Sequence, residues 1–95
     1  MNPTATIQVT ETRVFPNPTE DERLKAFATV TLNGCFVVTD MKVINGNEGL
    51  FVAMPARRRK DGIFHDVAHP ITQELREHIE QAVLDAYWQE IPAHY

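Results

Sequence analysis

The sequence is poor in cysteine, contains no long apolar run and has little positive charge in its last third. A single cysteine, Cys35, cannot form an intrachain disulfide, which fits a cytoplasmic setting. No apolar run is long enough to span a bilayer, and residues 1–4 contain neither a basic stretch nor an apolar core of a secretory signal. We therefore expect a cytoplasmic protein without a membrane segment.

Positive charge is scarce overall, because nine Lys and Arg face thirteen Asp and Glu, which gives a net charge of −4. Proteins that bind polyanions are usually basic, so the total argues against that role. The distribution is uneven: residues 1–60 carry eight basic against six acidic residues, and residues 61–95 carry only Arg76 against seven acidic residues. This asymmetry leaves room for one local basic patch in the first two thirds of the chain.

The length of 95 residues predicts a single domain over residues 1–95, with its core at about residues 7–91. Hydrophobic residues make up 43% and charged residues 23%, which is ordinary for a globular domain. Several strand patterns precede one helix pattern, and this order predicts an α+β fold. The predicted strands cover residues 7–15, 24–32, 35–44, 50–54 and 63–68.

The hairpin signal Asn33-Gly34 joins the second and third strands. A two-residue turn would place Leu32 opposite Cys35, so that Cys35 becomes a small buried residue. The same register predicts one core face. It combines the alternating apolar residues of the second strand with residues of the third, namely Leu24, Ala26, Ala28, Val30, Leu32, Val37, Met41 and Val43. The opposite face would carry Phe27, Phe36 and Val38, which need cover from the helix or from a second copy of the chain.

The fourth strand pattern, residues 50–54, is continuously apolar and predicts a strand that is buried on both faces. A helix is expected to begin near Thr72 as its N-cap and to stop at Pro92. Apolar residues recur every four positions along its core-facing stripe, at Ile71, Leu75, Ile79, Val83, Tyr87 and Ile91.

The most distinctive local feature is the basic segment Arg57-Arg58-Arg59-Lys60, predicted as a charged loop that is closed by an Asp61-Gly62 turn. Four adjacent cations repel one another, so the fold gains nothing from clustering them without a counter-charge. Phosphate groups can supply that charge, and arginine can bind them in a bidentate manner. The alternative is a solvated loop with no ligand.

Other candidate residues favour structural roles. His65 and His69 are four apart, but Pro70 argues against the helix that would bring their rings together, so we predict no metal site. Asp40 is interpreted as a residue at a bulge or on the solvent face. Tyr87 and Trp88 are interpreted as core or dimer contacts and not as base-stacking residues.

No nucleophile, base or metal set converges in the sequence, so we expect no enzyme activity, no cofactor and no small-molecule substrate. A protein–protein adaptor that uses the acidic helix or an exposed sheet edge remains an alternative to a nucleic-acid-binding protein.

Several motifs resemble the stage V sporulation protein G (SpoVG) family over most of the chain, from about residue 9 to about residue 87. The most specific are the segment from Asn45 to Pro55, which begins Asn-Gly-Asn-Glu-Gly, and Ala68-His69-Pro70-Ile71. Further matches are Lys25-Ala26, Phe36-Val37-Val38, Asp61-Gly62 and Phe64.

The resemblance implies a small twisted antiparallel sheet with a C-terminal helix, assembled as a homodimer. It also implies a non-catalytic regulator, linked to sporulation, septation or virulence, that binds DNA and RNA through the segment carried over here as Arg57, Arg58, Arg59 and Lys60. The chain departs from the family pattern in having Phe15-Pro16-Asn17-Pro18 where a basic run is common, and His65 where a basic residue is common. Lys60 replaces a frequent proline, so the basic patch is redistributed.

Overall fold

The computed structural model describes residues 6–19 and 22–90, and these form six strands and one helix. The elements are β1 (Val9–Pro16), β2 (Leu24–Leu32), β3 (Phe36–Gly46), β4 (Gly49–Ala53), β5 (Ala56–Arg58), β6 (Phe64–Asp66) and α1 (Gln73–Glu90). The first four strands form an antiparallel sheet in the order β1-β2-β3-β4, and β5 and β6 form a separate antiparallel pair. The predicted α+β order is thereby confirmed.

One face of the four-stranded sheet packs against α1, and the core lies between them. The predicted helix stripe is confirmed at Ile79, Val83 and Tyr87, which are buried, whereas Ile71 is 90% exposed because it precedes the first turn. Ile91 and Pro92, the predicted end of the helix, lie outside the described residues. The sheet contributes the buried side chains of Val14, Ala26, Ala28, Val30, Met41, Val43 and Val52.

Polar side chains fix the position of α1 on the sheet. The hydroxyl of Thr72 accepts a hydrogen bond from the backbone N–H of Leu75 at 3.2 Å, which confirms Thr72 as the N-cap. From the helix, His78 Nε2 accepts the backbone N–H of Val9 at 3.2 Å, and Glu80 Oε2 accepts that of Val52 at 3.2 Å. The two outer strands of the sheet are therefore both tied to the helix.

The predicted register of the β2–β3 hairpin is wrong near the turn. Asn33, Gly34 and Cys35 form a three-residue connection, and Leu32 lies opposite Phe36 instead of Cys35. Cys35 is consequently exposed and is not the predicted buried residue. Val37 is 55% exposed for the same reason, because the shift of one residue places it on the opposite face.

Asp40 lies at a second irregularity, where two residues of β3, Thr39 and Asp40, lie opposite the single residue Thr29 of β2 between the pairs Val30–Val38 and Ala28–Met41. Its φ of 63° is in the left-handed region, which non-glycine residues rarely adopt. The interpretation of Asp40 as a bulge residue is thereby confirmed. The bulge shifts the register by one more residue, so the two shifts together restore the predicted face for Met41, which is fully buried.

The bulge gives a first prediction. We expect Asp40→Val to lower the free energy of unfolding by about 1–2 kcal/mol, because a β-branched residue is strained in the left-handed region. Asp40→Gly is the matched control and should equal or slightly exceed the wild type, since glycine adopts this conformation without strain. Urea unfolding followed by circular dichroism measures the free energy of unfolding of both variants. An Asp40→Val variant as stable as Asp40→Gly would contradict the left-handed conformation at the bulge.

The sheet face opposite α1 has no cover from the described residues. We call this the outer face and define it by Phe15, Phe27, Ile44 and Phe51. The side chains of Phe15, Phe27 and Phe51 are 51%, 36% and 41% exposed. The prediction that the fourth strand is buried on both faces is therefore wrong: β4 is an edge strand whose outward residues are open. Phe36 and Val38, predicted on the outer side, lie on the helix side and line a small apolar cavity there.

Candidate functional site

The basic segment belongs to a hairpin and not to the simple loop that was predicted. Arg57 and Arg58 lie in β5, where they pair with His65 and Phe64 of β6. We call residues 56–66 the basic hairpin. The predicted last strand, residues 63–68, is confirmed as β6, but it pairs only with β5 and not with the main sheet.

A tight turn closes the basic hairpin. The backbone N–H of Arg59 donates to the carbonyl of Ile63 at 3.0 Å, and that of Gly62 donates to the carbonyl of Arg59 at 2.8 Å. Gly62 has a φ of 82°, as expected for a three-residue hairpin loop that ends in a left-handed residue. At the other end, Val67 N–H donates to the carbonyl of Pro55 at 2.8 Å, which closes the base of the hairpin.

Asp61, the acidic residue next to the four cations, is bonded within the hairpin. Its Oδ1 accepts the backbone N–H of Ile63 at 2.8 Å, and its Oδ2 lies 3.1 Å from His65 Nε2. These contacts stabilise the turn and orient His65. The carboxylate of Asp61 therefore lies beside His65, on the side of the hairpin that Arg57 shares, and it partly offsets the positive charge there.

The four cations are all exposed, and within the described part of the chain no hydrogen bond or ion pair holds their side chains. Successive residues of a strand point to opposite faces, so Arg57 shares one side of the hairpin with His65 and Arg58 shares the other with Phe64. The contacts of β5 and β6 are mainly with each other, which leaves the hairpin projecting from the sheet and helix. It presents cations on two sides.

The remaining candidates do not assemble into a chemical site. His65 faces Asp61, and His69 Nδ1 lies 3.0 Å from the carbonyl of Pro70, so the two rings have separate partners. Among residues 6–19 and 22–90, no group of three or more His, Cys, Asp or Glu side chains could hold a metal ion. No helix in this described part is long and apolar enough to cross a membrane.

The aromatic pair on α1 separates into two environments. Tyr87 is buried, and this burial raises the pKa of its phenol above the ordinary value, so it serves as a core residue. Trp88 is 53% exposed and contacts the Tyr87 ring edge-on, with the ring centroids 5.1 Å apart. The core interpretation is thus confirmed for Tyr87 only.

One residue of the candidate site was not recognised as part of it from the sequence. Phe64 is 62% exposed on the basic hairpin, directly opposite Arg58. The available signal was the Asp61-Gly62 pair, a common turn sequence between two strands of a hairpin. Such a hairpin would bring Phe64 beside the basic segment.

These features define a class: a small α+β protein with a helix on one sheet face and a projecting basic hairpin. The SpoVG family model matches residues 7–89 of the chain. Proteins named "Putative septation protein SpoVG" are similar to it over most of both chains. The chain belongs to the SpoVG family.

Three of these similar proteins, from different bacterial genera, illustrate the match. The one from Anaeromyxobacter sp. strain Fw109-5 is 55% identical over 85 residues, which cover 90% of this chain and 86% of the relative. The one from Bdellovibrio bacteriovorus is 53% identical and covers 90% and 77% of the two chains. The one from Myxococcus xanthus is 48% identical over 81 residues, or 85% and 80%. These names describe septation and not an enzyme activity.

Proposed function

We propose that this protein is a non-enzymatic regulator that binds DNA or RNA as a homodimer through residues 57–60 of its basic hairpin. The observation that carries the proposal is the set of four exposed cations without partners among the described residues. Because DNA and RNA occupy the bacterial cytoplasm, the proposal places the protein there. The septation names of the relatives suggest that its targets act in cell division or the processes coupled to it.

The binding mechanism is electrostatic. Arginine and lysine side chains that neutralise phosphates release condensed counterions, and this release supplies most of the sequence-independent affinity. Cations on both sides of a narrow hairpin can contact phosphates on two sides of a groove or strand. Backbone contacts of this kind fix position without reading bases, so we expect limited sequence discrimination from residues 57–60 alone.

The helix orients this binding. The last turn of α1 contains no basic residue, and the acidic residues Glu74, Glu77, Asp85 and Glu90 are exposed along the helix. Phosphate backbones are repelled from this surface, so nucleic acid should approach from the hairpin.

A homodimer doubles the basic surface to eight cations. The support for self-association is the outer face, where Phe15 and Phe27 are directly paired and Phe51 lies close to Gly46. A Cβ at Gly46 would lie 2.8 Å from a Phe51 ring carbon, so the ring occupies the space over Gly46 that a side chain there would need. An exposed apolar face of this kind is typical of an interface between copies of a chain.

The test is a salt series with the full-length chain. We expect binding of labelled DNA and RNA to weaken with a slope of log K against log salt on the order of −4 to −7, if most of the eight cations neutralise phosphates. Fluorescence anisotropy at salt concentrations from about 50 to about 300 mM measures the slope. A flat response would contradict the proposal and would favour an adaptor whose exposed acidic helix recruits a protein partner.

A further inference from the structure

We propose that one side of the basic hairpin holds a single unpaired nucleotide, with its base stacked on Phe64 and its phosphate on Arg58. This inference rests on the proposed function and adds the class of nucleic acid that the site prefers, which is a single strand.

The two side chains are placed side by side by the hairpin register. Arg58 of β5 lies directly opposite Phe64 of β6, so the two side chains lie on the same side of the basic hairpin. Residues at such directly opposed positions have Cβ atoms about 4.5–5.5 Å apart. This separation suits two neighbouring groups of one nucleotide, the planar base and the adjoining phosphate.

The tip of the hairpin leaves this side open. A Cβ built at Gly62 would lie 3.9 Å from Arg58 Nη2, which places the guanidinium along the glycine backbone toward the tip. Within the described residues, no ring or cation–π contact involves Phe64, whose side chain is among the most exposed of the large apolar residues at 62%. The ring is therefore available to a flat ligand, and the guanidinium next to it favours an anionic one.

The chemistry of the two side chains together selects a nucleotide. An apolar partner would cover Phe64 but would leave the positive charge of Arg58 and its neighbours without a counter-charge. A phosphate alone would satisfy Arg58 but would leave the aromatic ring in water. A nucleotide satisfies both, because every base has an aromatic face and every nucleotide carries a phosphate.

The same geometry discriminates between strand states. In a duplex, both faces of each base are covered by stacked neighbours, so Phe64 cannot reach a base without unstacking it. In a single strand the bases can turn out and stack on an aromatic side chain. Residues 57–60 attract the phosphates of either form, whereas Phe64 should add affinity only for the single strand.

Fluorescence anisotropy with a labelled oligonucleotide, single-stranded or as a duplex of the same sequence, tests the inference. We expect Phe64→Ala to weaken single-strand binding roughly ten-fold and to change duplex binding by less than about two-fold. Phe64→Trp should retain the single-strand affinity. Ile63→Ala removes a neighbouring side chain that is 59% exposed and is the matched control, expected to change neither affinity.

A second readout detects stacking directly. In a Trp88→Phe background, Phe64→Trp introduces the sole tryptophan, and its fluorescence should be quenched by the single strand more than by the duplex. In Phe64→Ala, an equal loss of both affinities or no loss of either would overturn the inference. A change of oligomeric state in this variant would overturn it as well.

The outcomes also separate this inference from the proposed function. A wild-type chain with steeply salt-dependent binding that is indifferent to Phe64→Ala overturns the stacking role alone. A wild-type chain that binds neither form overturns both.

Discussion

Alanine at Arg57, Arg58 and Arg59 together is expected to weaken nucleic-acid binding about a thousand-fold at 0.1 M salt. The substitution removes six of the eight hairpin cations of the proposed dimer, and each phosphate contact contributes nearly one unit to the salt slope. The slope should therefore fall from the range of −4 to −7 to about −1 to −2. The same anisotropy titrations measure both quantities.

The matched control keeps the charge. Lysine at the same three positions retains all cations but cannot bind phosphate in a bidentate manner, so we expect the salt slope to persist with a smaller loss of affinity. Neither triple variant should unfold the protein, because these side chains are exposed and make no hydrogen bond or ion pair to other described residues. Unchanged binding in the alanine variant would show that the phosphates are bound elsewhere.

The sequence located most elements but not the register that relates them. The three-residue loop at Asn33 is bonded to the start of β1 and the residue before it: Gln8 N–H donates to Asn33 Oδ1 at 2.7 Å, and Gly34 N–H donates to the Thr10 hydroxyl at 2.8 Å. These bonds join residues more than twenty positions apart, so local turn chemistry cannot reveal them. Met41 was placed correctly only because the bulge at Asp40 compensates the shift at the turn.

The candidate site was predictable in composition and not in shape. Four adjacent cations are evident from the sequence, and a strand was predicted over residues 63–68, but β5 has only three residues, too few for alternation to identify it as a strand. The pairing of Arg58 with Phe64 follows from that hairpin and was therefore missed. Likewise, the apolar run of residues 50–54 could not distinguish a central strand from an edge strand with an open face.

Glutamate at both Phe27 and Phe51 is expected to convert the proposed dimer into a monomer. In a two-fold interface each change occurs twice, so four carboxylates would be brought together on an apolar surface. Burying such unpaired charges should raise the dimer dissociation constant by more than about 100-fold. Sedimentation equilibrium at micromolar concentration measures the mass, and the control is Phe36→Glu, an exposed phenylalanine on the helix side of the sheet that should leave the mass unchanged.

Loss of the dimer should also change binding, and this links the outer face to the basic hairpin. A monomer presents four cations instead of eight, so the salt slope of the double variant should be about half that of the wild type. The affinity at 0.1 M salt should fall by about 100-fold or more, although residues 57–60 are untouched. A monomeric wild type, or a monomeric variant that keeps the full slope, would separate binding from assembly and would assign the outer face to another partner.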